Sequence, residues 1–419
     1  MRPRADEIRI TDLAHPVLSA SQQAALAYAA RTPVVLSEDV VLGAARQQTG
    51  LTNFGADDFR ARLRVWLQAA NEDRELSPVG RLSVFGNCVR LLSNRLRLED
   101  LLRRHPEILD VPIDQPIIVA GLPRSGTTHL LNLLAADTRL RSLPYWESLE
   151  PIPIRGEGPG RDGRDPRYLR CQTAHQQQAA RMPLLRAMHD MPPEHIHEEI
   201  ELQELDFATY ELEWLADVPR WRDYYLTLDQ RPHYAYLKKA LQALQWLRGP
   251  DRWVLKSPQH LEQLRPLCAT FPDATVVVTH RDPVAVIRSA ITMLAYGDRM
   301  RRTRIDLSAL AAYWIDRIER LLRASVRDHN HVPAAQRVDV LFHEFMADDR
   351  ATVARIYDRA GLPLTADAQA SLDDVLRANP RGQHGQVRYD LQADFGLDPA
   401  VIRARFAFYF DRFPVQVEA

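Results

Sequence analysis

The chain has 419 residues, 46% of them hydrophobic, enough to bury a sizeable core, and its 54 Lys+Arg nearly cancel 55 Asp+Glu, so no overall field favours nucleic acid or an anionic membrane. Cys88, Cys171 and Cys268 are odd in number and far apart, which fits neither a disulfide framework nor a zinc site, and points to a reducing cytoplasm. No apolar run approaches the roughly 20 residues that span a bilayer, and the opening "MRPRADEIRITDL" has no apolar core behind its arginines, so neither an anchor nor a cleaved leader is expected.

In chain order, residues 59 to 109 read as helix. Leu82, Phe85, Val89, Leu92 and Leu96 recur at three- and four-residue intervals behind a Ser77-Pro78 start signal. This is a helical preface, residues 1 to 112. Short apolar runs follow at 116 to 121, 252 to 258, 274 to 283 and 337 to 342, separated by helical stretches. They predict buried strands of a parallel sheet in an α/β domain over 113 to 419. The segment 144 to 250, rich in Trp, Tyr, His and Pro, is inserted after the first β-α unit. It falls on the carboxyl side of the sheet, where such folds bind ligands.

The first strand runs into "GLPRSGTTHLLNLLAAD", which has the glycine spacing of a nucleotide-binding P-loop but carries Thr127 where that motif puts its lysine. Strand, turn and helix place backbone N–H groups and a positive helix end around an anion. Arg124, Ser125, Gly126, Thr127 and Thr128 supply donors and backbone freedom in the same few residues. A lysine in the 127 slot serves the β- and γ-phosphates of a triphosphate. The ligand expected here therefore has no γ-phosphate.

Two more anion sites are expected. Arg281 ends the strand of "VVVTHRDPVAVIRSA" and Ser289 lies along the helix that Asp282-Pro283 opens. Arg381 and Gly382, with His384, Gly385 and Arg388, form a basic glycine-bearing loop ahead of a helix opening at Asp398-Pro399. Separate anion pockets on one sheet imply a ligand phosphorylated at two separated places.

The strand with "GLPRSGTT", then "THRDP" closing on Ser289, then "PRGQHG", resembles the sulfotransferase superfamily, in particular its bacterial sulfotransferase-like branch. The resemblance runs in order from about residue 115 to 413, and the helical preface is similar to that branch as well. It implies the sulfotransferase fold and the donor 3'-phosphoadenosine 5'-phosphosulfate (PAPS), which leaves as adenosine 3',5'-bisphosphate. It also implies that "PRSGTT" holds the 5'-phosphosulfate, that Arg281 and Ser289 hold the 3'-phosphate, and that Arg381-Gly382 closes over it. The implied acceptor is a hydroxyl on a small molecule, a glycan or a lipid-like compound.

In-line sulfuryl transfer builds negative charge on the leaving oxygen, and Arg124 and Lys256 are the cations expected to meet it. For the base that takes the acceptor proton, Glu147 resembles the glutamate of the tyrosylprotein branch and His260 the histidine of cytosolic sulfotransferases. Trp146, His189, His197 and Glu198 are expected to line the acceptor pocket. No metal is read from the alternating His195, His197 and Glu198. The alternatives that remain are a P-loop-type nucleotide kinase and a nucleotide-binding protein with a dead centre. The kinase lacks its loop lysine and an aspartate ending a strand.

Overall fold

The computed structural model describes residues 7–160, 163–249, 252–378 and 386–418. Five parallel strands form the main sheet: β2 (Ile117–Ala120), β3 (Leu140–Arg141), β4 (Arg252–Lys256), β5 (Thr275–His280) and β6 (Arg337–Leu341), in the order β3-β4-β2-β5-β6. A second, two-residue pairing joins β1 (Glu7–Ile8) to β7 (Gln386–Val387), also in parallel.

The first strand of the main sheet lies at its centre, with Ile118 opposite Leu255 on one side and Val276 on the other. The chain builds outward from it in both directions. The carboxyl end of β2 is thus the switch point where open α/β sheets form a ligand crevice.

Side chains along each strand alternate between the faces. Ile117, Val119, Val254, Val277, Val338 and Val340 pack with Leu130, Leu131, Leu134 and Ile356 on one face. Ile118, Ala120, Trp253, Leu255, Val276 and Val278 pack on the other with Leu92, Leu96, Leu237 and Leu241. Continuous apolar runs such as "IIVA" are what a sheet covered on both faces demands.

The preface consists of helices Ala20–Arg31, Glu38–Thr49, Phe59–Glu72 and Pro78–Arg104. Ser77 starts the last as its spacing predicts, its hydroxyl accepting the Gly80 N–H at 3.0 Å while donating to the Met300 carbonyl at 2.6 Å. That second bond ties the preface to the helix following β5. Sequence spacing missed the edge strand β3, whose two residues are too few to show a period. The three cysteines are free thiols. No helix among the described residues is long and apolar enough to cross a membrane.

Candidate active site

The turn from β2 into helix Thr127–Ala135 is held by contacts that leave no room for a side chain on its first glycine. A Cβ on Gly121 would stand 1.9 Å from Thr279 Oγ1 and 2.7 Å from Thr127 Cγ2. Gly126 precedes the helix at φ 84°, with the Phe342 ring 3.2 Å from where a Cβ would be. Ser125 Oγ donates to the Leu122 carbonyl at 2.7 Å and lies 2.9 Å from Thr279 Oγ1.

Arg124 is in the left-handed region at φ 67°, a conformation that costs a non-glycine residue about 1 kcal/mol or more. Three contacts hold it there. Its Nε donates to Ser289 Oγ at 2.9 Å, its Nη1 to the Met188 carbonyl, and its own carbonyl accepts from Arg281 Nη1. The helix behind the loop has no side-chain cap, so its first amides and its positive end face the turn. These features fit a phosphosulfate. The backbone wraps closely, no lysine occupies the 127 position, and Arg124, Thr127 and Thr128 line the cleft above.

That cleft is a cavity of about 130 Å³. Lys256 enters it from the end of β4, and His189, His197 and Glu198 from the insert, with Tyr210, Glu211 and Met293 completing the wall. The Lys256 ammonium is bonded to Glu198 Oε1, and its backbone N–H donates to Glu199 Oε2 at 2.7 Å. His189, His195 and His197 follow one another with ring centroids 5.7 Å apart at each step. Burial, then the neighbouring His195, Arg124 and Lys256, push His189 well below the usual imidazole range; burial and His197 take His195 down to about 3. Both rings are neutral at pH 7. The Glu211 carboxyl is driven well up by burial and by Glu204, Glu198 and Glu201. His197 is buried, yet neither ring nitrogen makes a hydrogen bond, Glu201 Oε1 standing 3.6 Å from Nε2.

Two expected bases are placed elsewhere. Glu147 does not line the cleft; it accepts from Arg141 Nη2 at 2.7 Å and Arg248 Nη2 at 2.9 Å, and is buried between these arginines. His260 is wholly buried, its Nδ1 2.7 Å from the Tyr234 hydroxyl and its Nε2 bonded to Glu199 Oε1. A base must reach the proton it removes, and both side chains are spent on packing. His260 instead orients Glu199, which holds the Lys256 backbone. Trp146, expected in the acceptor pocket, is also outside the cleft, with the Arg167 guanidinium 4.7 Å over its ring.

Of the expected 3'-phosphate residues, Ser289 meets Arg124 as described. Arg281 stacks 3.9 Å over Phe342, and its Nε and Nη2 donate to the two oxygens of Glu418 at 2.7 and 2.6 Å. Arg381 and Gly382 lie outside the described residues, as do His384 and Gly385. Spacing had not singled out Tyr210, Glu211, Met293 or Glu418. Met293 was within reach of a periodicity argument, being one turn beyond Ser289 on the same helix.

Among the described residues one group has metal-ligand composition: His280, His329 and Asp339. Both imidazole Nε2 atoms point at Asp339 Oδ1, at 2.9 and 2.7 Å, and Arg412 Nη2 donates to His329 Nδ1 at 3.1 Å. The arginine takes the Nδ1 lone pair, so His329 carries its proton on Nε2 and donates it to the carboxylate. The trio is a hydrogen-bonded strut between β5, β6 and Tyr409, whose hydroxyl is 2.9 Å from His280 Nδ1.

The chain matches the sulfotransferase family over residues 116–367. It is similar to the sulfotransferase STF1 of Mycobacterium tuberculosis H37Rv, with 30% identity over 89% of this chain and 98% of that one, at a TM-score of 0.78. It is similar also to the sulfotransferase STF9 of Mycobacterium avium, with 27% identity over 92% of this chain and 98% of that one, at a TM-score of 0.81. No curated protein matches the chain. The alternative of a kinase is set aside by this match, and the loop without a P-loop lysine, on a parallel sheet with its crevice at β2, belongs to an enzyme of the sulfotransferase family that uses PAPS as its sulfuryl donor.

Proposed function

We propose that the enzyme sulfates a hydroxyl group of a small-molecule acceptor, with Glu198 as the base that takes the hydroxyl proton. The observation that carries this reading is the Glu198–Lys256 pair, set in the cleft beside Arg124, Thr127 and Thr128. PAPS, when bound, supplies an activated sulfuryl group on the bridging oxygen of its phosphosulfate. The loop residues 121–128 hold that end of the donor, and Arg281 with Ser289 the 3'-phosphate. Arg124 and Lys256 bring positive charge to the oxygen that leaves, where fixed charge in a water-poor site contributes most. Glu198 accepts the proton as the acceptor oxygen becomes nucleophilic, and the Lys256 ammonium holds its carboxylate in place in the cleft.

Base catalysis contributes about a hundred- to ten-thousandfold. Glu198→Gln should therefore lower kcat at least a hundredfold while adenosine 3',5'-bisphosphate binds as in the wild type. Wild-type turnover in that variant would remove Glu198 from the role. A second reading rests on the unbonded nitrogens of His197, and His197→Asn measured alongside decides between the two. Arg124→Lys separates charge from clamp: the lysine keeps the positive charge but not the fork that spans Ser289 and Met188.

A further inference from the structure

The cleft is too small to enclose an acceptor. Its cavity of about 130 Å³ holds little beyond the reacting groups, whereas ligand sites usually span some 300–1,000 Å³. The body of the acceptor must lie outside it.

We propose that it lies in an apolar groove of about 890 Å³ between the helical preface and the insert, and that the acceptor is an elongated hydrophobic alcohol or phenol. This rests on the placement of the reacting hydroxyl at Glu198. The groove runs between helices Ala20–Arg31, Pro78–Arg104, Pro166–Arg181 and Pro283–Arg301, with Ala25, Leu82, Ala174, Leu185 and Met300 among its lining.

Three separate elements carry the groove to the cleft. Tyr145 lines the groove and meets His197, which lines the cleft, edge-on at 4.7 Å between ring centroids. Helix Leu185–His189 gives its first residue to the groove and its last to the cleft. The long helix after β5 gives Met293 to the cleft and Gly297 and Met300 to the groove. That is one helical turn, ~6 Å, between the two. In this proposal a chain lying in the groove directs its hydroxyl end across that boundary towards Glu198 and Lys256.

The lining also selects the chemistry. The apolar side chains of Ala25, Val79, Leu82, Leu185 and Met300 offer a sugar no hydrogen bond, and they outweigh in surface the polar ones in the lining, among them Ser83, Gln177, Gln178 and Arg181. Of the polar groups, His175 is already bonded to Asp190 at 2.9 Å. What the surface rewards is removal of methylene groups from water, about three- to fourfold in affinity for each one buried.

The experiment uses 4-alkylphenols from ethyl to octyl as acceptors, with PAPS for turnover and with saturating adenosine 3',5'-bisphosphate for calorimetric binding. KM and Kd should fall by about threefold per added methylene. Ala174→Trp and Ala25→Phe, on helix faces that border the groove, should raise both constants at least tenfold for octylphenol. They should leave nucleotide binding and the kcat for ethylphenol intact.

A KM indifferent to chain length, or an octylphenol site unaffected by both substitutions, overturns the groove. Absence of octylphenol binding to the nucleotide-loaded protein does the same. Octylphenol binding that both substitutions abolish, without any sulfuryl transfer to it, upholds the groove and sinks instead the assignment of Glu198.

Discussion

Glu418 grips Arg281 in a two-oxygen fork, Nε to Oε1 at 2.7 Å and Nη2 to Oε2 at 2.6 Å, and thereby occupies the guanidinium assigned to the 3'-phosphate. The backbone around it is anchored too, Glu418 N–H donating to Asp282 Oδ2 at 2.9 Å. A carboxylate and a phosphate compete for the same planar donors. Glu418→Ala should therefore tighten adenosine 3',5'-bisphosphate binding severalfold and leave AMP binding unchanged, measured by calorimetry at one ionic strength. Weaker bisphosphate binding in that variant would mean that Glu418 orders Arg281 rather than competing for it.

At Gly121 the contacts are backbone against buried side chain. Gly121→Ala puts its methyl into Thr279 Oγ1, and crowding of this kind costs about 1–3 kcal/mol. The variant should lose that much stability to urea and should also lose nucleotide binding. Adding Thr279→Ser, which keeps the clashing oxygen but deletes a methyl beside it, should restore little.

Arg317 is completely buried, with its Nε on Glu213 at 2.9 Å and its Nη1 and Nη2 on Glu262, both at 2.7 Å. Removing it strands two buried carboxylates. Arg317→Ala should cost about 3–5 kcal/mol in urea unfolding. Part of that loss should return at lower pH, where burial already pushes the Glu213 carboxyl up and protonation relieves it.

Stability should fall on mild acidification. His189, His195 and His280 all titrate lower in the folded chain than the 6.5 of a free imidazole, burial being the first cause in each. Below pH 6.5 the unfolded chain binds protons that the folded one refuses. The contribution is thus complete above 6.5 and declines as pH falls, down to about 3 for His195. The melting temperature should drop between pH 7 and 5, and His195→Gln should flatten that slope. An unchanged slope in this variant would show that His195 is hydrated in the folded chain.

No bound metal enters the proposed chemistry, so turnover should survive EDTA. Loss on chelation with recovery on adding magnesium would bring the cation back into the mechanism.

The sheet was legible because β2, β4 and β5 are short apolar runs soon followed by Gly or Pro, and β6 alternates Val338 and Val340 around Asp339; such runs have few other uses in a globular chain. The loop was legible for a related reason: glycines, hydroxyls and an arginine within the eight residues from Gly121 to Thr128 have a local meaning. Arg124, Lys256, His189, His197 and Glu198 do converge on one cleft. Glu147 and His260 do not. Glu147 has one partner close by, Arg141, but its second, Arg248, is 101 residues away, and Tyr234, the partner of His260, is 26 away. A lone carboxylate or imidazole near a motif reads as chemistry until its distant partner is known. Glu211 and Tyr210 stayed hidden because they sit in a short 3-10 turn, Tyr210–Trp214, too brief for a period to emerge.

The helix Pro283–Arg301 carries Ser289 beside Arg124, Met293 at the cleft and Met300 in the groove. From Ser289 to Met300 the rise is ~16 Å along one uninterrupted rod. With the donor and acceptor seated as proposed, both are measured against a single ruler, and neither has to be present for the other's seat to take shape. Steady-state kinetics should accordingly follow random addition, with a dead-end complex of bisphosphate and unsulfated acceptor appearing as substrate inhibition at high acceptor concentration.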